Sequence, residues 1–102
     1  MRDRQTMATA TRYLLQLLAD RVPGNSVEVR VPPYGAVQCV EGPRHTRGTP
    51  TNVVEMAPDV WVALAVGSRT WRDAVDSGAV QASGSRADIE ALLPIWRAPV
   101  IR

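Results

Sequence analysis

The chain has 102 residues, 45% of them hydrophobic, which suits one domain with a core of its own, and its single cysteine excludes an internal disulfide framework. No apolar run approaches the roughly 20 residues that a membrane-crossing helix needs. The formal net charge is only +2, and the twelve basic residues are all arginines scattered along the chain, so the sequence pI of 9.3 reflects arginine-rich usage of the kind a GC-rich bacterial gene produces rather than a nucleic-acid-binding face.

The first segment, "MATATRYLLQLLADRVPGN", places Leu14, Leu15, Leu18 and Val22 at helical spacing, with polar residues between them. It predicts a helix over about 6–22 that Pro23-Gly24 stops. "VEVRV" alternates strictly, with Val27, Val29 and Val31 on one face and Glu28 and Arg30 on the other, so it reads as a half-buried strand. Pro32-Pro33 and a short gap lead to "YGAVQCVE", which makes the second arm of an antiparallel hairpin. After a polar loop over 42–51, "NVVEM" is a third strand. "APDVWVALAVG" is a short helix, apolar almost all round, and such a helix is covered on several sides. Gly67 stands where a left-handed C-terminal glycine belongs.

"TWRDAVDSG" is a further helix, with Thr70 and Asp73 at capping-box spacing, a Trp71, Ala74, Val75 stripe, and Gly78 at its end. "AVQAS" is a short strand that Gly84 breaks. "SRADIEALLPIW" then begins with a second capping box, Ser85 and Asp88, and places Ile89, Leu92, Leu93 and Trp96 along one helical face. Hairpin-linked strands followed by gathered helices predict an α+β fold: an antiparallel sheet of about four to five strands with helices packed on one face.

The stretch "GPRHTRGTPTNVVEM" sets Arg44, the only histidine (His45) and Arg47 between prolines, directly before an apolar strand. Three such side chains can form a cationic cluster for a carboxylate or phosphate head group. The alternative is that the arginines pair with Glu41 and Glu55 or stand in water, with Gly42, Pro43, Gly48 and Pro50 only shaping the loop. One histidine and one cysteine give no metal-ligand spacing, so neither a metal nor a cofactor is expected. Cys39 shares a face with Val37 and reads as a small core residue. A thiol enzyme built from Cys39, His45 and Glu55 is the weaker alternative, and no enzymatic activity is expected. The N-terminus lacks the apolar run and cleavage site of a leader, so the expected location is cytoplasmic.

The block from "VQCVEGPRHTRGTP" through "WRDAVDSGAVQASGSRADIEALLPIW" resembles the sterol carrier protein type 2 superfamily, and its short bacterial orthologue family in particular. The resemblance covers about residues 26–96. It rests on the order helix–Gly67–helix–Gly78–strand–Gly84–helix and on the "GPRHTRGTP" loop. It implies a curved sheet under a helical layer, with an apolar tunnel between them that takes a fatty acyl chain or another apolar small molecule. Val54, Met56, Trp61, Leu64, Leu92 and Trp96 are then the candidate tunnel wall, and Arg44, His45 and Arg47 the candidate head-group contacts. Two departures accompany it: a loop over 42–51 where longer members carry a strand, and a short C-terminal "PIWRAPVIR" in place of a longer closing segment. They motivate the alternative, an accessory or interaction domain whose groove its own side chains fill. Trp96, Val100 and Ile101 form a candidate apolar patch for a homodimer.

Overall fold

The structure is a computed structural model that describes residues 3–42 and 52–97. Its elements are α1 (Arg4–Arg21), β1 (Val27–Val31), β2 (Gly35–Cys39), β3 (Val53–Met56), α2 (Pro58–Val66), α3 (Trp71–Asp76), β4 (Val80–Ser83) and a 3-10 turn, Glu90–Leu92. The fold is α+β, with four strands in the order β2-β1-β3-β4.

Helix α1 starts two residues earlier than its apolar stripe, because Asp3 caps it: the carboxylate accepts the Thr6 N–H at 2.7 Å. That bond holds the Asp3 carboxyl below its ordinary pKa. Ala8, Thr11, Leu14, Leu15 and Leu18 form its buried stripe. Val22 is its C-cap, and the chain then turns through Gly24, where a Cβ would lie 2.2 Å from the Val40 carbonyl. Only glycine permits that approach. The turn clamps the far end of β2, since Val40 N–H donates to the Val22 carbonyl and the Ser26 N–H and hydroxyl both donate to the Val40 carbonyl. Val40 takes the left-handed conformation, φ 66°, which is unfavourable for a β-branched residue and is held there by these bonds.

The sheet is mixed, not wholly antiparallel. β1 pairs antiparallel with β2 and β3 with β4, but β3 runs parallel to β1, with Val29 beside Val54. The reason is geometric. β2 ends beside the start of β1, and β3 starts at that same end of β1. The end of β2 and the start of β3 are thus two strand spacings apart, about 10 Å, a span that calls for no crossover helix. Val27, Val29, Val31, Cys39, Val54, Met56 and Val80 face the helices, while Glu28, Arg30, Glu55 and Gln81 face away. On the outer face Arg30 pairs with Glu28 at 2.7 Å.

Helix α1 lies over β2, α2 lies against α1, and α3 lies against β4. Pro58 opens α2, and Gly67 at φ 84° closes it, its N–H reaching Ala63 and Leu64 carbonyls. The Thr70 hydroxyl accepts the Asp73 N–H and so caps α3. The helix expected to start at Ser85, with its regular part ending at Pro94, is reduced to the single 3-10 turn. Asp88 does not cap a longer helix; its carboxylate accepts the Glu90 N–H two residues on. Pro94 then drives Leu93 into extended backbone, φ −111° and ψ 146°, so the helix cannot propagate.

Two buried polar side chains tie these parts together or fail to. Asn52, next to β3, donates to the Ser26 carbonyl at 2.8 Å and accepts the Arg86 N–H at 2.9 Å. Asn52→Ala leaves both partners unpaired and is expected to lower unfolding free energy by about 2–4 kcal/mol in urea titration. The Thr11 hydroxyl is buried with no hydrogen-bond partner among the described residues. Thr11→Val keeps the shape, removes that group, and is expected to raise stability by up to about 1 kcal/mol in the same titration. Burial also pushes the Cys39 thiol from 9.0 up to about 11. Between these pH values the unfolded chain loses the thiol proton and the folded chain keeps it, so the thiol's contribution to stability is constant below pH 9 and falls as pH rises toward 11. The fall in midpoint over that window is expected to be steeper for the wild type than for Cys39→Ala.

Candidate functional site

The space between the sheet and the helices is filled. Val27, Val29, Val31, Cys39, Val54, Trp61 and Ala65 all have 0% exposure. Such side chains offer no surface to a water-sized sphere from outside or from within, so no cavity of that size lies against them. Trp61 does most of the filling, and its indole N–H donates to the Thr11 carbonyl at 3.2 Å, which pins α2 to α1.

The expected wall residues therefore separate. Val54, Met56, Trp61 and Leu64 are core residues, Leu92 is half-buried, and Trp96 is 38% exposed near the C-terminal end of α2. Arg44, His45 and Arg47 lie outside the described residues, as do Val100 and Ile101 of the expected homodimer patch. Cys39 points to the helical face of the sheet and Glu55 to the opposite face, so they cannot serve one reacting centre.

One expected residue, Leu64, does reach a concave surface. A cleft of about 210 Å³ lies between the end of α2, the start of α3 and the 90–94 segment. Leu64, Trp71, Leu93 and Pro94 form its apolar walls, and Arg69, Thr70 and Glu90 stand on it as well. The cleft exists because of how α2 ends. Gly67 turns the chain sharply, the Ser68 and Arg69 N–H groups fold back on the Ala63 carbonyl, and α3 starts at once. The C-terminal segment forms the other wall. Ile95 and Trp96 N–H groups both donate to the Ala65 carbonyl, and the Arg21 guanidinium donates to the Ile95 carbonyl.

Arg69 is the cationic group of this cleft, with Glu90 its one carboxylate. Its guanidinium donates to the Ser77 hydroxyl at 2.8 Å, and that hydroxyl in turn donates to the Ala74 carbonyl. The side chain is thus anchored through one amino group. Among the described residues it has no carboxylate within 4.0 Å. A half-buried guanidinium beside apolar walls can meet a carboxylate while leaving the attached chain against the half-buried Leu93 and Pro94. Sequence reasoning missed Arg69, because a residue between a helix stop and a helix cap reads as an ordinary turn arginine. It also read Trp71 only as part of a core stripe. The available signal was the closeness of Gly67 and Thr70, which forces two helix ends to one point.

Larger hollows exist but lack facing apolar walls. One of about 340 Å³ lies on the polar face of the sheet by Arg30, Glu55 and Gln81. Another, about 570 Å³, runs along one side of α1 by Thr9 and Tyr13. Among the described residues there is no group of histidine, cysteine and acidic side chains able to hold a metal, and no helix long and apolar enough to cross a membrane.

Comparison with known proteins agrees with the architecture. No curated protein matches the chain. The profile of one family, described as bacterial SCP ortholog, matches residues 3–95, which includes α1, the whole sheet, both later helices and the wall of the cleft through Ile95. The chain therefore belongs to the bacterial sterol carrier protein orthologue family.

Proposed function

We propose that this sterol-carrier-type domain is a non-enzymatic binding module for a short acyl carboxylate, held in the cleft between α2, α3 and the 90–94 segment. The observation that carries this reading is the pairing of the half-buried Leu93 and Pro94, backed by the core residues Leu64 and Trp71, with an anchored guanidinium that has no carboxylate within 4.0 Å among the described residues. The volume sets the size of the ligand. About 210 Å³ equals roughly seven water molecules at ~30 Å³ each. That is room for a short chain and not for a sterol skeleton. The filled interlayer space supports the same limit.

A second reading has its own support. An accessory domain with no small ligand also follows from an interior closed by Trp61. The two readings differ in one measurement. Hexanoate is titrated into the intact chain while the Trp71 indole N–H resonance is followed, with Trp71→Phe used to assign it. Under the acyl reading that resonance shifts and saturates, and Arg69→Gln weakens the affinity by about three- to fivefold, the range of a partly exposed ion pair. If millimolar hexanoate moves neither this resonance nor the amides of residues 64–71 and 90–94, the acyl reading is wrong and the accessory one stands.

A further inference from the structure

The two edges of the sheet are protected differently. Strand β2 lies under α1, with Cys39 wholly buried and Val37 half-buried, and the left-handed Val40 bends the chain away at its end. Helix α3 meets β4 at its start, where the Ala79 N–H donates to the Ala74 carbonyl. Past Val80 the strand is open: Gln81, Ala82 and Ser83 are all exposed. Ala82 is exposed even though it faces the helical side, opposite Val54.

The ladder fixes which backbone groups of β4 are free. The Glu28 N–H donates to the Asn52 carbonyl, so Asn52, Val54 and Met56 turn their backbone groups to β1. Val53 and Glu55 turn theirs to β4, where they meet Ser83 and Gln81. The N–H and C=O of Val80 and Ala82 therefore point off the sheet, and none of them bonds elsewhere among the described residues. The segment "AVQAS", 79–83, holds no charge and no proline, so it lacks the usual devices that keep a further strand away.

We propose that β4 pairs antiparallel with β4 of a second copy, joining two four-stranded sheets into one. The occupant follows from self-complementarity. About a two-fold axis at Gln81, Val80 lies opposite Ala82 of the second copy, and Ala82 lies opposite its Val80. Each member of these pairs directs its N–H and C=O at the other, which is the hydrogen-bonded pairing of an antiparallel ladder. The side chains agree with the backbone. Val80 and Ala82 meet on the helical side, apolar against apolar, and the two Gln81 amides meet on the outer face, each able to donate and accept. Each face thus finds its own kind across the axis, as a two-fold contact requires. The surface is separate from the Arg69 cleft, to which β4 contributes no residue. An edge of four residues buries well under the roughly 1,200 Å² of a standard interface, so the association is weak.

Gln81→Cys tests the register. The axial residues form a non-hydrogen-bonded pair with Cα atoms about 4.5 Å apart, inside the ~4.4–6.8 Å span of a disulfide. With diamide as the oxidant that takes up the two thiol hydrogens, Gln81→Cys is expected to form a covalent dimer about tenfold faster than Gln38→Cys, the exposed control on β2. Cys39 is buried in both variants and contributes equally to each. Without oxidant, the Val80 and Ala82 amide resonances of the wild type are expected to shift as the protein is concentrated from about 20 µM to about 1 mM. Ala82→Pro removes a free donor and no bond of the β3 ladder, while Gln81→Arg sets like charges across the axis at an exposed position. Each is expected to abolish the concentration dependence of the Val80 amide. Equal crosslinking of the two cysteine variants overturns the proposal, as do wild-type amides that stay fixed up to about 1 mM. A dimer that persists in Gln81→Arg overturns it too, since another surface then forms the contact.

Discussion

The indole of Trp61 fixes the distance between the two layers of this domain. It is the largest side chain with no exposed surface, and a chain without phenylalanine has few other ways to fill that volume. Its N–H needs an acceptor, because a buried unpaired donor costs about 1–3 kcal/mol. The Thr11 carbonyl supplies it and so sets how α2 sits against α1. Burying an indole of this size is worth about 3–5 kcal/mol, judged by what truncation to alanine removes. With Trp61 seated, the valines of β1 and Val54 of β3 are wholly buried, and the interlayer space is closed.

Much of this was legible in the sequence, and for identifiable reasons. The alternation of Val27, Val29 and Val31 has a period of two, which puts all three on one face whatever strand lies beside β1. Gly67 and Gly78 both adopt positive φ, as helix-terminating glycines do. The parallel pairing of β3 with β1 was not legible. Alternation tells which face a residue occupies and nothing about the direction of its neighbour. The final helix failed for a local reason: the 85–96 pattern has helical spacing, but Asp88 and Pro94 each act on the backbone within a few residues and outweigh it. The candidate site was legible only in part. Leu64 follows from the apolar stripe, but Arg69 belongs to the cleft through the tertiary meeting of a helix end, a helix start and a distant segment.

Buried polar groups mark where the fold is specified and where it is only filled. Asn52 uses its amide in both senses, donor and acceptor, to join the start of β1 to the 84–87 turn, and its own carbonyl accepts the Glu28 N–H. Ser26 joins the same corner to Val40. This corner holds a β-branched residue in left-handed backbone, a strain of order 1–3 kcal/mol that the surrounding bonds offset. Thr11 is the contrast. Its carbonyl serves Trp61, while its hydroxyl has no described partner, so shape and not polarity explains its place in the α1–α2 seam.

Family membership therefore leaves the space between the layers undecided, since the family pattern constrains the order of the elements and not the volume of one side chain. Opening the space would require moving Trp61 off Thr11 and wetting valines that are wholly dry, at about 25 cal/mol for each Å² of apolar surface exposed. The cleft by Arg69 makes no such demand. Its walls are helix ends and an extended segment tied by backbone bonds to Ala65 and by Arg21, and parts held by so few contacts open at lower free energy than a packed core. Under the proposed binding role, contact at the edge of the layers is thus the arrangement that the filled interior favours.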